Sequence, residues 1–175
     1  MITPRQQFIG EMRGALDDAF ADWLQEKGDQ PQITGRAIIE LVDVETKEIK
    51  QREVQENLIV DQGRTYIQKN IQNDSPVDPA YIVTSDSATA VGASDVTVNA
   101  TVLLGKSATK SRPANTTCRF AVTYSSSESN GTIRSVAIAN AANGTLMFSR
   151  LVLSSAVTKD SSSELNVQYD LTITW

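Results

Sequence analysis

The chain has no histidine. The residues that could do chemistry are therefore limited to carboxylates, lysines, serines and a single cysteine. Histidine is the usual general base near neutral pH, the usual partner of a Ser or Cys nucleophile and the commonest transition-metal ligand. A pair of carboxylates could still serve a glycosidase, but the sequence does not show which acidic residues meet in space. We therefore predict that the protein is not an enzyme, with no catalytic residue and no cofactor.

Two local patterns resemble reactive sites. Cys118 excludes an internal disulfide because it is the only cysteine. It alternates with Phe120 and Val122, so we expect a core thiol that packs as a small hydrophobic group. Asp43, Glu45 and Glu48 could attract calcium, but they lack the EF-hand order. We therefore expect no metal site there.

Charge and hydropathy narrow the class of partner. Residues 1–64 hold 8 Lys and Arg against 13 Asp and Glu, which accounts for the whole net charge of −5. An acidic chain without a basic stripe is a poor nucleic-acid binder. No apolar run approaches the ~20 residues of a membrane span, and the N-terminus lacks the apolar core of a signal peptide. We expect neither nucleic acid nor membrane as a partner, and synthesis in a cytoplasm. The acidic N-terminal part either favours solubility or faces a basic partner.

Residues 1–30 are predicted to form a helical arm. Thr3 is a suitable N-cap, Pro4 suits the first helical position and Gly28 suits the C-terminal cap. An apolar seam at heptad spacing, widened by flanking residues, is predicted as the assembly interface: Phe8, Ile9, Met12, Leu16, Phe20, Trp23 and Leu24. The seam suits packing on the chain's own sheet and docking on a neighbouring subunit equally well.

Residues 31–175 are predicted to form one antiparallel β-sandwich domain. Alternation in residues 33–44 and 48–57 around the turn 44–48 predicts a hairpin. Asn57 to Val60 continues as strand, and a short helix over 62–72 is predicted, with Asp61 as its cap and Gly63 relaxing its first turn.

The remainder of the domain is predicted to be β-rich. Residues 85–95 have few large side chains and are expected to be flexible or ordered by a partner. Asn130-Gly131 and Asn143-Gly144 are hairpin turn signals that join successive strands. Leu165 to Trp175 alternates over six apolar residues, which predicts a half-buried strand.

Several short motifs follow one another along the domain: Gly35 to Lys47, Asn57 to Arg64, Tyr81 to Thr84, Thr101 to Leu104, Gly131 to Ile133 with Ala137 and Ile138, Leu146 to Arg150, Lys159, and Leu165 to Trp175. Their order resembles that in a group of tailed-bacteriophage virion proteins of the tail, neck or appendage type. The resemblance covers residues 35–175 and leaves the N-terminal arm unmatched. The chain departs from it at Arg134-Ser135-Val136, where the group usually has an acidic residue, so a shared salt bridge is not expected here.

The resemblance implies a non-catalytic structural subunit of a virion, in the tail, the neck or collar, or a fibre attachment. It implies other virion proteins as partners, and we expect a homo-oligomer that is made in the host cytoplasm. Two alternatives stay open, a capsid decoration or cement protein and a carbohydrate- or receptor-binding β-sandwich module. A binding module should expose aromatic platforms on loops, and Tyr81 is the one aromatic residue that we expect near a loop.

Overall fold

The computed structural model describes residues 32–72, 79–98 and 102–174. The predicted N-terminal helix and Trp175 lie outside these residues. The described chain contains nine strands and one helix: β1 (Gln32–Asp43), β2 (Ile49–Ile59), α1 (Asp61–Gln72), β3 (Tyr81–Ser85), β4 (Val102–Ser107), β5 (Thr109–Ala114), β6 (Thr117–Tyr124), β7 (Gly131–Ala139), β8 (Met147–Lys159) and β9 (Ser163–Thr174). The helix in this part of the chain does not have the length and apolar character needed to cross a membrane.

The strands form two antiparallel sheets that share β2. Sheet I has the order β2-β1-β9-β6-β5, and sheet II has the order β4-β3-β7-β8-β2. Residues up to Asn57 of β2 pair with β1 in sheet I, whereas Leu58 and Ile59 pair with β8 in sheet II. The predicted mainly β, antiparallel class is confirmed.

The first hairpin is held by a side chain at its turn. Asp43 Oδ1 accepts hydrogen bonds from the backbone N–H groups of Glu45 (2.8 Å) and Thr46 (2.9 Å). Its other oxygen pairs with Lys50 Nζ at 2.7 Å. These bonds, with that of Lys50 first, hold the pKa of the Asp43 carboxyl well below its usual range. The acidic residue predicted not to hold calcium is thus a turn cap that pairs with a lysine.

The main core draws side chains from both sheets. One cluster joins Ile39, Phe120 and Leu165 of sheet I with Ile82 and Ile138 of sheet II. Two buried tyrosines add polar links between the sheets: Tyr124 Oη donates to the Ile82 carbonyl at 2.7 Å, and Tyr169 Oη lies 2.8 Å from Ser149 Oγ. Burial raises the pKa of Tyr124 above its ordinary value.

The last strand carries the predicted alternation into this core. Its four buried apolar residues are Leu165, Val167, Tyr169 and Leu171, while Asn166, Gln168 and Asp170 are only partly buried on the other face. Cys118 was predicted to be buried and is exposed. It lies in the second position of β6, opposite Leu171, and the exposed β5 and turn precede it. Leu171 is buried, so the core is lost at this point only towards the exposed edge strand β5.

The helix α1 begins one residue earlier than predicted, at Asp61 instead of residue 62. The Val60 carbonyl accepts the first helical hydrogen bond from Arg64 N–H at 3.1 Å, so Val60 occupies the capping position and Asp61 is the first helical residue. The Asp61 backbone N–H donates to the Ala93 carbonyl at 2.8 Å. The role predicted for Asp61 is therefore wrong, because a loop distant in sequence satisfies this end of the helix.

Gly63 is needed for close packing rather than for a relaxed turn. A Cβ atom at this position would lie 2.1 Å from the Phe148 carbonyl oxygen of β8. The helix can therefore approach the sheet backbone only with glycine at this position. Tyr66, one turn further, is buried and its ring stacks on Phe148 with centroids 6.5 Å apart.

The connection after β6 changes sheets. Asn130-Gly131 was predicted to join two paired strands, but β6 pairs with β5 and β9, whereas β7 pairs with β3 and β8. The loop 125–130 is held by Lys159, whose Nζ is buried and donates to Asn130 Oδ1 at 2.7 Å and to the Ser126 carbonyl at 3.3 Å. The Asn130-Gly131 pattern could not reveal the contact with Lys159, because Lys159 is distant from it in sequence.

Residues 86–98 cross the outward face of sheet II, and we call them the strap. The Val96 carbonyl accepts from Met147 N–H at 3.0 Å, and Val98 N–H donates to the Gly144 carbonyl at 3.1 Å. Gly144 has a φ of +77°, and a Cβ atom there would lie 2.9 Å from Val98 Cγ2. Residues 85–95 were expected to be flexible or ordered by a partner; within them the Ala93 carbonyl accepts from Asp61 N–H at 2.8 Å, so a contact within the chain holds this part of the strap.

Candidate functional site

The outward face of sheet I carries a shallow depression of about 420 Å³. Five strands contribute to it, because each turns alternate side chains away from the core. Its lining is mostly polar: Ile38, Glu40, Arg52, Thr109, Ala121, Val122, Thr123, Asn166, Val167 and Gln168. We call this surface the sheet I face.

Side-chain hydrogen bonds, one across strands and one along β9, hold the centre of the sheet I face. Thr123 of β6 lies opposite Asn166 of β9, and its Oγ1 donates to Asn166 Oδ1 at 2.7 Å. The amide nitrogen of Gln168 donates to Asp170 Oδ2 at 3.1 Å. The amide and hydroxyl groups are thus fixed before any ligand arrives, which reduces the entropy lost on binding.

The charges on this face are paired with one another. Arg119 makes two bonds to Asp170, with Nε–Oδ1 at 2.7 Å and Nη2–Oδ2 at 2.8 Å. The hydrogen bond to Asp170 raises the pKa of Arg119. Arg52 Nε lies 3.1 Å from Glu40 Oε1. Internal pairing leaves hydrogen-bonding capacity on the face but little net charge to attract an ionic ligand.

An apolar strip borders the depression. Ile38 of β1 and Val54 of β2 lie opposite each other in the register, and Val54 is exposed. This mixture of amides, hydroxyls, paired charges and a small apolar area suits contact with another polar surface. It presents no nucleophile beside a base. Among the described residues, no three His, Cys, Asp or Glu side chains come close enough to hold a metal ion.

The predicted assembly residues cannot be compared with this surface. Phe8, Ile9, Met12, Leu16, Phe20, Trp23 and Leu24 all lie outside the described residues. The sequence analysis did not predict the sheet I face. Its residues come from five strands that are spread over positions 38–168. The sequence does show the polar residues that alternate with apolar ones along the strands. That pattern does not reveal that polar residues of five strands line one concave surface.

The outward face of sheet II holds a second polar feature, which is buried. Arg150 lies between Ser149 and Leu151 in β8 and is only 1% exposed. Its Nε lies 3.4 Å from Ser135 Oγ, and its Nη2 lies 3.4 Å from the Ser87 carbonyl oxygen. Burial lowers the pKa of the guanidinium, and the charge of Asp95 opposes that effect. A charged residue within a buried apolar run was the sequence signal for this site.

Ser135 explains part of this arrangement. It lies on β7 two residues before Ala137, which pairs directly with Arg150. The Ser135 hydroxyl therefore contacts the guanidinium from the neighbouring strand. Within the described residues, Arg150 has no salt bridge.

Comparisons of the chain with models of protein families, with curated proteins and with solved structures produced no match.

Proposed function

We propose that the chain is a non-catalytic structural subunit of a tailed-bacteriophage virion and that it works by protein–protein assembly. Its position would be in the tail, the neck or collar, or a fibre attachment, and its partners would be other virion proteins and further copies of itself. We also propose that sheets I and II form an antiparallel β-sandwich. The single core cluster shared by the two sheets supports that arrangement.

One observation carries the proposal. The motif from Asn57 to Arg64, one of those that carry the resemblance, coincides with the joint where β2 enters sheet II and α1 begins. Its glycine packs against the Phe148 carbonyl, where a Cβ atom has no space. The motif therefore follows from a packing requirement of this fold, which supports a resemblance in architecture rather than a chance match of letters.

The other motif residues also fall on structural positions. Lys159 anchors the loop 125–130, and the apolar residues of the last strand fill the core. These residues therefore serve packing and loop anchoring, which is consistent with a resemblance in architecture.

Disruption of the gene in the phage that encodes the chain tests the proposal. We expect particles that lack a tail, neck or appendage component under the electron microscope, with infectivity restored by the wild-type gene supplied in trans. Normal particles with normal infectivity would contradict a structural role. Loss of head stability, with tail and neck intact, would favour the decoration or cement alternative.

The anchor role of the N-terminal arm has its own test. Leu16→Asp with Trp23→Asp places two charges on the predicted seam, whereas Gln7→Asp with Gln25→Asp places two charges on the opposite side of the predicted helix. We expect the first pair to abolish incorporation into particles while circular dichroism stays β-dominated, and the control pair to be incorporated. Normal incorporation of the seam variant, or global unfolding caused by it, would contradict an anchor role.

The sheet I face favours a second candidate, a carbohydrate- or receptor-binding module. Its fixed amides, Asn166 and Gln168, and the Thr123 hydroxyl are groups that recognise sugar hydroxyls. Among the described lining residues none is aromatic, and stacking platforms are what such modules usually add. Glycan binding that is lost in Asn166→Ala with Gln168→Ala, and kept in the exposed-edge control Ser107→Ala, would favour this candidate over assembly.

A further inference from the structure

The buried end of the Arg150 side chain is incompletely paired. Its Nη1 is inaccessible to solvent and has no hydrogen-bond partner within the described residues. The two contacts made by its other nitrogens are both 3.4 Å long, at the weak end of the range for N–H···O bonds. Buried polar groups are normally satisfied, so an unpaired buried donor points to a missing interaction partner.

The chemistry of that partner follows from the guanidinium. Arginine keeps its charge in proteins, offers five donors in a planar fork and has no acceptor. Its preferred partners are oxygens that carry negative charge and accept two parallel bonds, as carboxylates and phosphates do. Ser135 Oγ, 3.4 Å from Nε, adds a hydroxyl that can donate to the same oxyanion.

The strap determines access to the guanidinium. Ser87 supplies a carbonyl contact from its first residues, and backbone bonds to Asp61 and Met147 fasten its later part. The exposed residues 88–90 between these attachments have no large side chain. A ligand can therefore reach Arg150 if this short part of the strap lifts while the fastened part stays in place.

We propose that Arg150, Ser135 and the strap form a binding site for one oxyanion of the carboxylate or phosphate class. The oxyanion has two possible sources. One is a free anion from solution. The other is the strap itself, since Asp95 carries a carboxylate whose charge acts on Arg150 and whose Oδ2 accepts from Gly92 N–H at 3.0 Å. This site is independent of the proposed role in a virion.

The experiment measures the thermal unfolding midpoint of the full chain against inorganic phosphate, with sodium chloride keeping the ionic strength constant. The variants are Arg150→Met, which keeps the stem and removes the donors, and Asp95→Asn, which removes the Asp95 carboxylate and leaves Asp86 as the other acidic residue of the strap. Arg134→Met is the matched control, because it removes an exposed arginine from the neighbouring strand. At about ten times the dissociation constant, phosphate should raise the midpoint by about 3 to 6 °C.

A rise in the wild type and in Arg134→Met that is lost in Arg150→Met supports the site with a free anion as its ligand. A rise that appears only in Asp95→Asn supports the site with the strap carboxylate as its occupant. If Arg150→Met does not fold, Arg150→Lys replaces it, and its response should be reduced because the fork is lost. The same rise in the Arg150 variant as in the wild type, or no rise in either the wild type or Asp95→Asn, would overturn the proposal.

Discussion

The outward face of sheet I is open, whereas the outward face of sheet II lies under the strap. On sheet I the outward positions of β2, Arg52, Val54 and Glu56, are exposed. On sheet II the outward residues Val83, Ala137, Ala139 and Met147 are at most 1% exposed and form a second apolar cluster. Burial alternates along β9 of sheet I, whereas β3, the second half of β7 and the start of β8 in sheet II are buried on both faces. Continuous burial of this kind is expected where a second segment covers the sheet.

Residue size accounts for this difference. The strap covers Ala137 and Ala139, whose small side chains leave space for a second layer of backbone, beside the larger Val83 and Met147. The corresponding positions of sheet I carry long polar side chains that pair with one another. Small residues on an outward face therefore indicate a covering segment, and paired polar residues indicate contact with solvent or with a partner surface.

The largest expected effect comes from truncating an apolar side chain on each face. Met147→Ala should lower the free energy of unfolding by about 2–5 kcal/mol because it leaves a cavity under the strap. Val54→Ala, the matched truncation on the open face, should change it by less than about 0.5 kcal/mol. Denaturant unfolding of both variants measures the difference. Equal losses would mean that the two faces do not differ in burial.

Enlarging a small side chain on each outward face tests the same difference between the two sheets. Ala137→Leu should destabilise the protein by about 1–3 kcal/mol because the strap leaves no room for a larger side chain. Ala121→Leu enlarges the lining of the open depression and should stay within about 0.5 kcal/mol of the wild type. If thermal unfolding shows that Ala137→Leu is neutral, the strap is not packed tightly on sheet II.

A smaller effect is expected at the junction of the sheets, where Glu128 pairs with Lys106. The lysine hydrogen bond, followed by a backbone bond from Ser125, lowers the pKa of Glu128 from 4.5 to about 2. Because the folded pKa lies below the unfolded one, this stabilisation is present above pH 4.5 and is lost as the pH falls towards 2. Glu128→Gln should therefore flatten the pH dependence of the unfolding midpoint over this window. An unchanged slope would contradict the pairing.

The smallest effect is expected for the Arg119–Asp170 pair of the sheet I face. Asp170→Asn should weaken stability only slightly, because ion pairs near solvent contribute little and salt screens them. The difference from the wild type should shrink as sodium chloride is added. A large loss that does not respond to salt would mean that this face is covered in solution rather than open.

The sequence predicted the elements whose signals are local. The hairpin of β1 and β2, the helix after Val60 and the last strand each follow from periodicity within about a dozen residues. Most of the errors come from contacts between segments distant in sequence, whereas Cys118 was misassigned because it lies beside the exposed edge strand β5. Three such contacts are not encoded in local patterns. Ala93 binds the start of α1, Lys159 holds the loop 125–130, and the strap covers sheet II.

The candidate sites show the same division. Alternation along the strands identified the polar residues of the sheet I face. The depression itself exists only because five strands lie side by side. Arg150 was visible as a charge within an apolar run and as part of a motif. Its incomplete pairing appears only when Ser135 and Ser87 are seen on either side of it.

The proposal that the chain is a phage virion subunit is tested most directly by a cryo-EM reconstruction of purified particles, combined with peptide quantification. We expect the chain at a fixed copy number in the tail, neck or fibre attachment, with density that fits two antiparallel sheets sharing β2. Absence of its peptides from infectious particles, when the protein is abundant in the infected cell, would contradict the account.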